Sequence, residues 1–240
     1  VEGWPVNVVS IMAHQDDEMG CLGTMLTCRV RDDDLHFITL TDGSKGFVQN
    51  PGISREEAAG IRDAEMRALA EAAGAQYINL GEPDEFLYDT PEVRMALIEA
   101  IRQTGADLIF THSSEDYNLD HTTVHSLVRH CAMQSCLPVL PTATAPLARH
   151  PAIFLTDPHG PFNFPATHYV DVSDCHDEKI RLLLHHESQE EALQLGTGTG
   201  LEARTRRLDA FRGDQVGVAC AEAFAPMRVR GAIKPWAVLP

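Results

Sequence analysis

"AHQDDEMGCLG", residues 13–23, follows an apolar run at 6–13 and carries one histidine and three acids at its tip. A run that is apolar nearly throughout suits a strand covered on both faces, as in a parallel sheet, and predicts β-structure over 6–13. The polar residues then fall where that strand ends. In open parallel sheets ligands bind outside the carboxyl ends of the strands, where loops converge. The same stretch thus points to a fold and to the place of a site within it.

The pattern recurs along the first half. Further strands are expected over 35–41, 76–80 and 108–111, each followed by polar or glycine-containing turns. Between them Ser54 and Glu57 form a capping box in front of a helix running to about Ala73, with Gly74 as its stop. Thr90 and Pro91 open a second helix, which reaches Thr104 before Gly105. A third begins at Asp120 or a near neighbour and runs to about Cys136. The proline-rich residues 138–165 read as a long irregular connection, interrupted by an apolar segment at 153–156. A strand at 167–172 and a helix over 174–195 follow. "GTGTG" at 196–200 comes after a helix rather than after a strand, so it reads as a flexible loop and not as a phosphate cradle. This alternation predicts an α/β, Rossmann-like fold: a mostly parallel sheet with helices on both faces, in a single domain over 1–240. No internal repeat or linker divides the chain.

Composition narrows the function. The chain has 240 residues, 44% of them hydrophobic, and a net charge of −16. That charge argues against broad basic surfaces for nucleic acid or anionic membranes. No stretch approaches the roughly 18 apolar residues of a membrane span, and the N-terminus lacks a basic region followed by an apolar one. A cytoplasmic protein acting on a small molecule is expected, with a homo-oligomer left open. Cys21, Cys28, Cys131, Cys136, Cys175 and Cys220 form no CxxC pair, so they read as buried thiols rather than as a zinc ribbon or disulfide scaffold.

Three polar clusters map to strand ends: His14, Asp16, Asp17 and Glu18; then Thr41, Asp42 and Gly43; then "THSSEDYNLDHTTVH" at 111–125. Histidine and carboxylate together are good zinc ligands, and catalytic zinc sites commonly use three protein ligands. His14 and Asp17 can converge if the chain turns into a helix, with a third ligand drawn from 111–125. Asp16 is then free to act as a general base. The same acids could instead favour a helix N-terminus, with His14 a hydrogen-bonded turn residue. A dinucleotide site is disfavoured, because the first strand lacks a glycine-rich turn.

"AHQDDEMGCLGTM" resembles the AHPDDE signature of the LmbE/PIG-L family of zinc-dependent N-acetylglucosaminyl deacetylases, with Gln15 in place of proline. Further matches follow in order: "TLTDGSKG" at 39–46, "IRDAEMRALAEAAG" with Arg62 and Glu65, "LGEPD" ending at Asp84, "DYNLDHTTVH", "HESQ" at 186–189 and "AEAF" at 221–224. The resemblance implies zinc ligands His14, Asp17 and His121, with Asp16 as general base. It also implies hydrolysis of the amide of an N-acetyl amino sugar or small glycoconjugate. Zinc is the implied metal, with iron(II) or another divalent ion as alternatives. Asp120, beside His121, either orients a neighbouring group or caps the helix. Arg62 and Asp84 are candidates for substrate hydroxyls, and His186 and Gln189 for a further role at the site.

One position departs from the family pattern. The first histidine of HPDH, which stabilises an oxyanion or protonates the leaving amine, is Asn118 here. Asparagine donates a hydrogen bond but delivers no proton near neutral pH. Three outcomes compete: Asp16 serves as both base and acid; His112, His125, His168 or His186 replaces the missing histidine; or the enzyme is altered. His125, four residues after His121, could also compete as a ligand, though a packing role fits it better. Two other functions stay open: an amidase of a larger thiol or antibiotic conjugate, whose pocket the 138–165 connection would shape, and a noncatalytic sugar- or metal-binding protein.

Overall fold

The apolar run behind His14 forms a strand, β1 (Asn7–Met12), whose side chains alternate between two cores. Val8 and Met12 join one, Val9 and Ile11 the other, and all four are essentially inaccessible. In this computed structural model, which describes residues 5–160 and 163–229, β1 lies inside a seven-stranded sheet, between β2 and the central strand β4. The others are β2 (Asp34–Thr41), β3 (Gln76–Glu82), β4 (Leu108–Thr111), β5 (Ala152–Leu155), β6 (His168–Asp171) and β7 (Ala221–Pro226), in the order β3-β2-β1-β4-β5-β7-β6. Residues 161 and 162 of the expected 138–165 connection, and both ends of the expected 1–240 domain, lie outside the described residues.

The first five strands run parallel, and β7 alone is antiparallel to its neighbours β5 and β6. The expected mostly parallel α/β sheet is therefore present. The chain leaves β1 in one direction through β2 and β3, then returns to place β4 on the other side of β1. That reversal makes the carboxyl ends of β1 and β4 the switch point, where two loops diverge and leave a crevice.

Helices α1 (Leu22–Val30), α2 (Arg55–Ala73), α5 (His176–Leu183) and α7 (Leu201–Val216) feed one core. Helices α3 (Pro91–Thr104) and α4 (Leu119–Gln134) feed the other. Local chemistry sets several boundaries. Ser54 Oγ accepts from Glu57 N, Thr90 Oγ1 accepts from Val93 N, and Gly74 and Gly105 close their helices in the left-handed region.

Helix α4 starts at Leu119, a near neighbour of Asp120 as expected, and is capped by Asn118. Elsewhere the expectations need correction. The helix expected over 174–195 is two, α5 and α6 (Glu187–Thr197), broken at 184–186 where His186 leaves helical geometry. The apolar segment near 153–156 is a strand that joins the sheet. Part of "GTGTG" is ordered by helices: Thr197 ends α6, Gly198 closes it, and Gly200 caps α7.

A buried ion cluster ties α1, α5, α7 and β7. Lys179 Nζ lies 2.7 Å from both Asp209 and Glu222, with no exposed side-chain area. Glu222 also accepts from Gly23 N and Thr24 N, in the first turn of α1. Burial alone would lower the Lys179 pKa, but the two carboxylates outweigh it and hold it above its ordinary value. Removing the cation strands two buried carboxylates. Lys179→Met is expected to lose about 3–5 kcal/mol of stability, read from urea unfolding.

Candidate metal centre and active site

After Met12 the chain turns sharply at the switch point. His14 N donates to Asp17 Oδ2 at 2.8 Å, closing a local turn that leads into a 3-10 segment, Asp17–Gly20. Between them Asp16 adopts φ 123°, a region rarely open to a residue with a side chain. Surrounding groups hold it there: Asp16 N donates to Glu18 Oε2 at 3.0 Å, and Arg62 Nη2 reaches Asp16 Oδ1 at 3.0 Å and also Gln15 O. His186, with no exposed area, lies 2.7 Å from the other Glu18 oxygen.

Three atoms meet at the floor. His14 Nδ1 is 3.1 Å from His121 Nε2 and 3.2 Å from Asp17 Oδ2, while His121 Nε2 is 3.4 Å from Asp17 Oδ1. Four ligands about 2.0–2.1 Å from a zinc ion stand roughly 3.3–3.4 Å apart at the corners of a tetrahedron. The separations and the two-imidazole, one-carboxylate donor set fit such an ion. A second grouping, His14 with Asp84 and Asp120, surrounds the far side of the His14 ring. There the carboxylates already accept backbone N–H groups: Asp84 from Lys45, and Asp120 from Glu85 and Leu87. They back the ring, at 3.0 Å for Asp84 and 3.5 Å for Asp120 from His14 Nε2. Asp116 does the same for His121, 3.1 Å from Nδ1. Carboxylates behind imidazoles are the usual outer partners of metal-binding histidines.

Ionisation follows these contacts. Burial pushes the Asp16 carboxyl up, with Arg62 opposing. Burial works the same way on Asp17, but His121, His112 and His14 outweigh it and hold Asp17 well below the usual carboxylate range. Burial and the neighbouring His121 bring His112 down to about 4. Its ring stacks on His121 at 4.1 Å, and its Nε2 accepts from Ala13 N.

These groups open into a cavity of about 550 Å³. His14, Asp16, Asp17, Arg62, Asp84, Asn118, His121 and Gln189 line it; Asp120 and His186 do not. Asn118 Oδ1 is committed as the cap of α4, accepting from Asp120 N and His121 N. Arg62 and Asp84, expected at substrate hydroxyls, engage Asp16 and His14 respectively. Gln189 Nε2 donates to Gly46 O, and neighbouring Ser188 is held by Glu65. His125 turns to His112 O, and His168 is exposed on β6. Sequence reasoning missed Asp116 and His159. Asp116 sits within the recognised 111–125 cluster, so its signal was present but undifferentiated. His159, in the irregular connection, has no local signal.

The chain is an open α/β-sheet protein with a two-histidine, one-aspartate cluster at its switch point. The profile of the PIG-L family, described as GlcNAc-PI de-N-acetylase, matches residues 9–132, and the chain belongs to this family. Among solved structures it is similar to the N,N'-diacetylchitobiose deacetylase of Pyrococcus horikoshii, at 24% identity and TM-score 0.79, covering 92% of this chain and 83% of that one. It is similar too to GalB, the 4-carboxy-2-hydroxymuconate hydratase of Pseudomonas putida KT2440, at 17% identity and TM-score 0.79, covering 97% and 100%. The A40926 pseudoaglycone deacetylase Dbv21 matches at 15% identity and TM-score 0.69, covering 95% and 100%. No curated protein matches the chain. These likenesses establish the shared fold of the family's deacetylases.

The β2 loop must approach this floor closely. Gly43 has φ 64°, and a Cβ there would press on Gln15 Oε1 and lie 2.9 Å from Arg62 Nε. Gly43→Ala is expected to cost about 1–3 kcal/mol in urea unfolding, through backbone strain and displacement of Arg62.

Proposed function

We propose that the protein is a zinc-dependent N-deacetylase that hydrolyses the amide of an N-acetyl amino sugar or small glycoconjugate. The observation that carries this reading is the meeting of His14 Nδ1, His121 Nε2 and Asp17 within 3.1–3.4 Å, beside a separately held Asp16, on the floor of one cavity. His14, Asp17 and His121 would hold the metal. When bound there, zinc supplies a Lewis acid for the acyl carbonyl and lowers the pKa of water.

The chain's own groups do the rest. Asp16 takes a proton from the water that adds to the carbonyl carbon. It returns the proton to the nitrogen as the C–N bond breaks, leaving acetate and an amine. A carboxyl raised by burial suits both halves of that transfer. Arg62 and Glu18 fix its position, and Asp84, Asp120 and Asp116 orient the two imidazoles. Gln189 and Lys45 line the cavity and would meet substrate hydroxyls there.

A larger conjugate is a second reading. The cavity wall continues past Gln189 to Leu193, Thr197, Thr199, Arg204, Arg207 and Leu208 at the α6–α7 junction, extending the pocket beyond its floor with mixed apolar and basic surface. A panel of N-acetylated amino sugars, disaccharides and acylated glycopeptides, assayed for released amine with zinc or iron(II), separates the two. Turnover of none of them by the metal-loaded protein overturns the deacetylase reading.

Two variants test the roles. Asp16→Asn is expected to lower kcat by about 10²–10⁴-fold with stoichiometric zinc retained, measured by amine release and metal analysis. Asp116→Asn is expected to weaken zinc by roughly 10–100-fold in a competition titration with a chelating dye, because His121 loses its orienting partner.

A further inference from the structure

Amide hydrolysis places negative charge on the carbonyl oxygen, and a donor aimed at it is commonly the largest single aid to such a reaction. The position where the family carries a histidine for this purpose is Asn118, whose Oδ1 caps α4 and whose amide Nδ2 is a weaker donor than an imidazole N–H that a neighbouring carboxylate polarises. Of the four histidines that could have replaced it, His186 is fully buried against Glu18 and His125 bonds to His112 O. His168 is exposed on β6, and His112 uses Nε2 to accept from Ala13 N. None of them lines the cavity. Among the described residues the histidines that do are His14, His121 and His159.

His159 sits in a short loop pinned at two points. Its own N–H donates to Asp116 Oδ2 at 3.0 Å, and that oxygen is also the one facing His121 Nδ1. Two residues earlier, Asp157 receives a forked pair of hydrogen bonds from Arg212 of α7, at 2.9 and 2.5 Å. The ring stands edge-on to His121, with centroids 5.2 Å apart and planes at 84°. Its Nδ1 lies 3.8 Å from Asp17 Oδ1, and the side chain keeps a quarter of its area exposed to the cavity. Nε2 makes no hydrogen bond among the described residues. The loop thus holds the imidazole beside the three-atom cluster, and neither ring nitrogen is hydrogen-bonded to a described residue.

We propose that His159 is a catalytic residue that donates a hydrogen bond from its imidazole to the substrate carbonyl oxygen as that oxygen gains charge. The inference rests on the deacetylase reading above. No covalent bond to His159 forms, and the proton stays on the ring, since an imidazole N–H can polarise a carbonyl without giving up its proton. The proton inventory at Asp16 is unchanged. What His159 contributes is charge stabilisation from a ring N–H, on a loop held by the same Asp116 carboxylate that receives Asn118 N.

The test compares wild type, His159→Ala and His159→Gln as zinc-loaded proteins, on whichever amino-sugar substrate wild type turns over best. Four quantities are read: zinc content, unfolding midpoint, kcat with KM, and affinity for a methylphosphonamidate of the same sugar, a tetrahedral mimic of the charged state. The expected result for His159→Ala is full zinc content and a near-wild-type midpoint. Its kcat falls by about 10²–10³-fold with KM changed little. Analogue affinity falls with kcat while affinity for the amine product holds. His159→Gln, which keeps an N–H donor, recovers part of both losses. Loss of zinc in His159→Ala overturns the proposal by making His159 a ligand. Turnover and analogue binding within about threefold of wild type overturn it by making His159 a passive wall. A wild-type protein that neither releases amine nor binds the analogue overturns the deacetylase reading itself, and this assignment with it.

Discussion

Two imidazole nitrogens, His14 Nδ1 and His121 Nε2, face each other at 3.1 Å in a buried place, with Asp17 against both. Lone pairs at that separation repel unless a proton or a cation lies between them. Asp84, Asp120 and Asp116 crowd the outer edges of the same two rings, so the pocket floor concentrates carboxylates that burial would otherwise penalise. The rest of the architecture is arranged to make this meeting possible. His14 leaves β1 and His121 rides on α4 after β4, and these strands are neighbours only because the sheet reverses its order between them. Asp84 arrives from the end of β3 on the far side of β2. At the site the loops after β1, β3 and β4 meet through His14, Asp84 and His121.

How much of this could be read from sequence depended on whether the cause was local. Strands β1, β2 and β4 announced themselves because burial on both faces demands apolar residues throughout. The caps Ser54 and Thr90 and the stops Gly74 and Gly105 were legible because capping is chemistry between near neighbours. The break between α5 and α6 was not, since it is tied to His186 reaching Glu18, far away in sequence. Helix α7 escaped notice for a different reason. Its buried face includes Thr205, Asp209, Arg212 and Gly213, and its packing runs through Lys179 and Asp157, so it lacks the apolar stripe by which helices are recognised.

The site divides the same way. His14, Asp16, Asp17 and His121 stand in short motifs whose order along the chain is informative, and the structure gathers all four at one cavity. Roles that depend on what a side chain points at were harder. Arg62 and Asp84 are candidates for substrate hydroxyls because arginine and aspartate suit polyols; in the fold both line the cavity and their charged groups also meet Asp16 and His14, contacts that no local pattern announces. His159 carries no motif. Its importance comes from the loop anchors at Asp116 and Asp157, both side-chain contacts to distant backbone or another helix.

The hydratase GalB shares this fold at TM-score 0.79, so the sheet and its crevice do not by themselves select a reaction. Selection falls to a few side chains, and Asn118 shows how tightly those are coupled to structure. Asparagine is among the best N-cap residues, and its oxygen here accepts from the first turn of α4, including His121 N itself. A histidine at that position offers a donor to the substrate but caps poorly. On the proposed assignment the chain resolves this conflict by separating the two tasks. Asn118 secures the helix that carries His121, and a ring N–H is offered from the neighbouring loop of His159. That loop is tied to the same ligand through Asp116, so the oxyanion donor and the metal-binding imidazole share one carboxylate and keep their relative position.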